Sequence, residues 1–169
     1  MVHRLAGPVA AIALGACVLG GCASGSPQTG AASYRDEHGV AAAQLAATTK
    51  ALELDVSRLS PVPTRPQLGQ LAQAATKAQD EAARAGSWNV PGRNEEGAEE
   101  EDVPRAETQL AEGAGELASA MSALRAYARA PSAAALAGYQ SRLANGRTQW
   151  NEGISQLWYL AHASDPPTL

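Results

Sequence analysis

The chain has 169 residues, 13 basic and 17 acidic, and a formal charge of −4, a balance that excludes a surface built to grip nucleic-acid phosphates. Both cysteines, Cys17 and Cys22, lie near the start, so the rest of the chain has no disulfide, thiol nucleophile or cysteine metal site. Phe is absent, Val and Ile are scarce and Ala is abundant, which favours helix over sheet in a chain sized for one domain.

His3 and Arg4 open the chain, an apolar stretch runs from Leu5 to Leu19, and Gly20 and Gly21 precede Cys22. A basic start, an apolar centre and small residues at a cut site form an export signal. The stretch is interrupted by Gly7, Pro8 and Gly15 and is shorter than the roughly 18 to 20 apolar residues that a spanning helix needs. The run Leu19-Gly20-Gly21-Cys22 resembles the lipobox of bacterial lipoproteins. The resemblance implies cleavage between Gly21 and Cys22, a diacylglyceryl thioether on Cys22, and a lipid-anchored position on the outer face of the cytoplasmic membrane. It covers residues 1–22 and carries no activity with it.

Without residues 1–21, which hold Arg4 and no acid, 12 basic and 17 acidic residues remain, a net −5. That surface offers no polybasic patch to anionic lipid, so adhesion falls to the acyl chains; two chains anchor stably where one holds only marginally. The expected partners are the bilayer, through acylated Cys22, and an unidentified protein or small ligand.

Residues 22–33 read as the lipidated Cys and a small, polar, flexible tether. A first helix is predicted over Tyr34–Leu59, with Ser33 as cap and Asp36 near its positive end. His38, Ala42, Leu45, Thr49, Leu52, Val56 and Leu59 form its stripe, and Val40, Ala47 and Leu54 form a second row that widens it. The segment Ser60-Pro61-Val62-Pro63 ends this helix. A second is predicted over Arg65–Ala85, opened by a Thr64/Gln67 capping box, with an alanine-rich seam from Leu68 through Ala85 and an outer Asp80–Arg84 pair.

Residues 86–103 break the periodicity, and six of the eight residues from Glu95 to Asp102 are acidic. This run lacks the alternating oxygen pattern of a calcium loop and reads as a solvated connection. A third helix is predicted over Pro104–Arg129, capped by Asp102, with its stripe on Leu110, Ala114, Leu117, Met121, Leu124 and Ala128. A fourth is predicted over Pro131–Ala163. Its seam is Leu136, Tyr139, Leu143, Gly146, Trp150, Ile154, Leu157 and Ala161, and Asn145-Gly146 is a possible break. Four amphipathic segments of this length predict an all-α, antiparallel up-down four-helix bundle over residues 34–164, followed by a tail at 165–169.

No nucleophile elbow, zinc-protease helix, phosphate loop or dinucleotide fingerprint is present, so a non-enzymatic role without catalytic residues or cofactor is expected. His38 and His162 sit at helix ends that an up-down bundle brings to one pole, which makes them weak metal candidates; their spacing matches no metal motif. Trp88, Trp150, Trp158 and Tyr159 are the candidates for a patch that docks a partner or lines a pocket. The expected function is an envelope interaction or accessory module. The alternative is a bundle that binds a small apolar ligand or a metal.

Overall fold

The computed structural model describes residues 30–89 and 102–169. The predicted signal, cleavage site, lipidation site at Cys22, most of the tether and most of the acidic run lie outside these residues. The described chain forms four helices: α1 (Gly30–Ser57), α2 (Arg65–Ala85), α3 (Asp102–Arg129) and α4 (Ala133–Leu160). The all-α four-helix bundle expected from the periodicity is what forms. Each helix packs on its neighbours in chain order, and α4 closes back on α1. None of the described helices is long and apolar enough to cross a membrane.

Helix α2 begins and ends where its sequence predicts. The Thr64 side chain accepts from the Gln67 N–H at 3.4 Å, and the Thr64 N–H donates to Gln67 Oε1 at 2.8 Å. Two amide donors that the first turn would otherwise leave without partners are thereby satisfied. Its ion pair at i,i+4 spacing is Lys77–Glu81, at 3.8 Å, rather than the expected Asp80–Arg84. Helix α4 starts two residues after the expected Pro131, because the Ser132 side chain caps it by accepting from the Ala135 N–H at 3.2 Å.

Two expected caps lie inside helices instead. Helix α1 starts at Gly30, so Ser33 and Asp36 are helical residues, and Ala31 is already buried. Asp102 is the first residue of α3, where its charge still meets the positive end of the helix.

The predicted stripes face the core. Leu45, Thr49 and Leu52 of α1, Leu117, Met121 and Leu124 of α3, and Tyr139, Trp150, Ile154 and Leu157 of α4 are among the most deeply buried side chains. The second row of α1 does not join them. Val40 is 87% exposed, Leu54 is 48% exposed and Ala47 is exposed, because the bundle needs only one face of this helix.

Helix α4 runs unbroken through Asn145-Gly146. Gly146 lies against α3, where an added Cβ would stand 2.9 Å from the Leu117 backbone nitrogen. Gly113 and Gly153 are equally tight: a Cβ would stand 2.6 Å from the Trp150 nitrogen and 2.8 Å from the Ala106 carbonyl oxygen, respectively. Small residues thus bring the α3 and α4 backbones together, and this is the most extensively packed helix pair of the bundle. Helix α1 touches its neighbours at far fewer positions. Side-chain bridges tie the helices further. Gln109 donates to Glu152 at 3.0 Å, Arg125 donates to Gln79 at 2.7 Å, and Arg147 pairs with Glu53 across α4 and α1.

Candidate functional site at the aromatic pole

Helix α2 has 21 residues where the others have 28, and Gly86 at its end lies beside Ala114, twelve residues into α3, so α2 stops short of the pole where α1 and α3 begin. Trp88, three residues past its end, fills the gap. The Trp88 ring stacks on His38, with centroids 4.7 Å apart and planes 4° from parallel. It also approaches Tyr34 at 6.2 Å and Trp150 at 6.3 Å. Tyr34 meets His38 edge to face at 4.8 Å, the i,i+4 spacing placing both on one face of α1. The result is a contiguous cluster of Tyr34, His38, Trp88 and Trp150 drawn from three parts of the chain.

The chain after α4 folds back onto this cluster. His162 (φ 51°) and Asp165 (φ 58°) adopt left-handed backbone, which ends the helix and turns the chain around. The Ala163 N–H donates to the Trp158 carbonyl at 2.9 Å, completing the helix stop. Trp150 Nε1–H then donates to the Pro167 carbonyl at 3.2 Å. Asn151 holds Leu169 at both backbone groups, donating to its carbonyl oxygen at 3.2 Å and accepting from its N–H at 2.7 Å. The sequence marks Pro166-Pro167 as a stop and gives no sign of this strap.

The four expected patch residues therefore separate. Trp88 is half-buried in the cluster and Trp150 is wholly buried. Trp158 is 6% exposed, and a Cβ on Gly39 would stand 3.5 Å from its ring, so it serves the α1–α4 contact. Only Tyr159, 78% exposed, faces water. Tyr34 joins the site without having been among the candidates, because Ser33 has the chemistry of a cap; its spacing of four from His38 is the signal that extends the stripe back to it.

The two histidines meet different surroundings. The His38 ring is occupied by its stacking partners, with Nε2 3.8 Å from a Glu37 carboxylate oxygen, whereas His162 is exposed at the helix stop. Among the described residues, no group of three or more His, Cys, Asp or Glu side chains is placed to hold a metal ion.

Two buried phenols carry the clearest electrostatic perturbation. Burial pushes the Tyr34 hydroxyl above the usual tyrosine range, and the Glu107 carboxylate adds to this. Burial does the same to Tyr139, with Glu53 raising it further and Arg147 opposing. Both hydroxyls stay protonated, and the Tyr139 oxygen has no hydrogen-bond partner among the described residues. Two hollows of about 340 Å³ each lie between α1 and α2, one beside Arg58, Leu59 and Leu71, the other beside Ala47, Ala51 and Lys77. Asp55 and Ala74 border both, while Trp150 and Trp158 line neither.

Comparison with known protein families, with curated proteins and with solved structures finds no match.

Proposed function

We propose that the chain is an exported lipoprotein, held by acyl chains on Cys22 at the outer face of a bacterial cytoplasmic membrane. Its bundle serves there as a non-enzymatic interaction module of the envelope. The observation that carries this reading is the run Leu19-Gly20-Gly21-Cys22 behind a short, interrupted apolar stretch. The bundle is compatible with it. Helix α1 starts at Gly30, eight residues after Cys22 in the sequence.

Many charged side chains of the domain, Glu53, Arg125, Arg147 and Glu152 among them, bridge one helix to another rather than converging on one point. This supports binding over catalysis. Mass spectrometry of the membrane-extracted protein tests the anchor: the expected N-terminus is a diacylglyceryl-modified Cys22. An intact leader, or a Cys22→Ser variant that pellets with membranes as before, overturns it.

A second reading, a carrier of a small apolar ligand, draws on the two α1–α2 hollows, each of about 340 Å³. Titration of the purified chain with a fluorescent fatty acid distinguishes the two. Saturable binding that is lost in Leu71→Arg supports the carrier.

A further inference from the structure

Helix α1 is the least firmly held of the four. It meets α2 and α4 at far fewer positions than α3 does. The two hollows of about 340 Å³ both lie along its seam with α2. Its seat also leaves polar groups stranded. Thr49 is wholly buried in the core stripe, and its hydroxyl makes no hydrogen bond among the described residues. The Tyr139 hydroxyl, within reach of the Glu53 charge, and Nε of Arg147, which pairs with Glu53, are likewise buried without a partner. Each such group weakens the hold on α1.

The connection from α1 to α2 works against the turn it makes. Pro61 and Pro63 fix their own backbone near the polyproline angle, and they push Ser60 and Val62 before them toward extended backbone. Such a run prefers to be straight, yet the bundle uses it to reverse the chain. Among the described residues, no backbone group from Ser60 to Pro63 bonds to another backbone group. The Ser60 hydroxyl, donating to the Val62 carbonyl at 2.7 Å, is what spans the turn. Val62 at its centre is 83% exposed, so the turn buries little.

We propose that α1 exchanges between two copies of the chain. The 58–64 connection straightens, and α1 of each copy packs on α2 and α4 of the other. The seat that receives the incoming helix is the one α1 fills at home. Tyr34, Ala42, Leu45 and Leu52 are buried as before, and Glu53 pairs with Arg147 of the other copy. The complement of that seat is α1 itself, which makes a second copy the occupant that fits it. Two exchanged helices close a two-fold dimer. The contacts of the closed chain reappear between chains, while the connection gains the extended form its prolines favour. The loose seam lowers the barrier to release, which the close α3–α4 seam would raise.

The test uses the full-length chain carrying Cys17→Ser and Cys22→Ser, which has no thiol. One sample adds Glu53→Cys and another adds Arg147→Cys. The two, told apart by a tag, are mixed at high concentration and treated with a short bismaleimide. Residues 53 and 147 meet across α1 and α4, so this pair links unlike chains where α1 has crossed over. The expected result is a mixed dimer several-fold more abundant than that of Glu53→Cys with Ala111→Cys, a position exposed on α3. The double variant Glu53→Cys/Arg147→Cys, diluted, links within one chain and so shows that the fold is kept. Pro61→Gly with Pro63→Gly in both chains lets the turn close freely, and is expected to lower the mixed yield several-fold. A yield no higher than the Ala111→Cys control overturns the exchange, and so does a yield that the glycines leave unchanged. Because Cys22 is replaced throughout, either failure leaves the lipid-anchor reading standing.

Discussion

Gly113 and Gly146 face each other across α3 and α4 so closely that a Cβ on either one would stand 3.1 Å from the carbonyl oxygen of the other. The obstacles are backbone atoms, which cannot turn aside as a flexible side chain can. Gly113→Ala and Gly146→Ala therefore force the helices apart, and each is expected to cost about 1–3 kcal/mol despite the better helix propensity of Ala. Gly115 and Gly138 lie in the same two helices with nothing within 4 Å of an added Cβ. There the same substitution is expected to stabilise by up to about 1 kcal/mol. Urea denaturation of the four variants checks both signs; destabilisation by all four alike would refute the seam.

The strap over Trp150 carries a separate expectation. A chain ending at Ser164 leaves the indole N–H without the Pro167 carbonyl and frees both polar groups of Asn151. A buried donor without a partner costs about 1–3 kcal/mol, so a lower melting temperature is expected. Water reaching the ring should also shift tryptophan emission to the red. Unchanged emission and stability would show that the strap contributes nothing.

Alkaline pH should weaken the fold through Tyr34 and Tyr139. Below about pH 10 both phenols are neutral whether the chain is folded or unfolded. Above it the unfolded chain releases protons that the folded chain keeps, because burial raises both hydroxyls. Stability is therefore fully present below about pH 10 and declines as pH rises beyond it. The double variant Tyr34→Phe/Tyr139→Phe should flatten this decline in melting temperature, measured from about pH 8 to about pH 12.

Tyr139→Phe alone tests a different point at neutral pH. Its hydroxyl is buried and makes no hydrogen bond among the described residues. Removing an unsatisfied polar group of this kind is expected to be neutral or stabilising by about 1 kcal/mol, whereas loss of a useful bond would destabilise. Thermal melts separate the two outcomes.

The Glu53–Arg147 bridge is the main polar link between α1 and α4, and both side chains are about one-third exposed. Glu53→Gln is expected to cost about 0.5–1 kcal/mol at low salt, and less as salt screens the pair. A loss that does not change between low and high salt would argue against an ionic contribution.

The core stripes were legible because a buried helical face repeats every three or four residues, as Leu45-Thr49-Leu52 and Trp150-Ile154-Leu157 do. The capping box at Thr64 was legible because its chemistry is local. What was not legible depends on neighbours in space. Val40 and Leu54 have the right period for a core, yet only the number of partner helices decides which face is covered. Gly146 reads as a weak point in an isolated helix, and only the presence of Gly113 opposite turns it into a contact. Trp88, outside any helix, reads as a ring folded back over the bundle end, but the partners it finds there depend on where α2 stops. The starts of α1, α3 and α4 differ from expectation by two to four residues; Ser33, for one, has the chemistry of a cap but lies inside a helix that begins at Gly30.

The tight α3–α4 hairpin also sets an order of assembly. Its two helices are joined by three residues, 130–132, and meet along most of their length, so contacts beside that short loop can seed the rest. Such contacts form early, since little chain entropy is lost in closing them. Helix α1 has fewer neighbours and depends on surfaces that α2 and α4 must first present. The helix that is synthesised before the other three is thus the last to be locked in place.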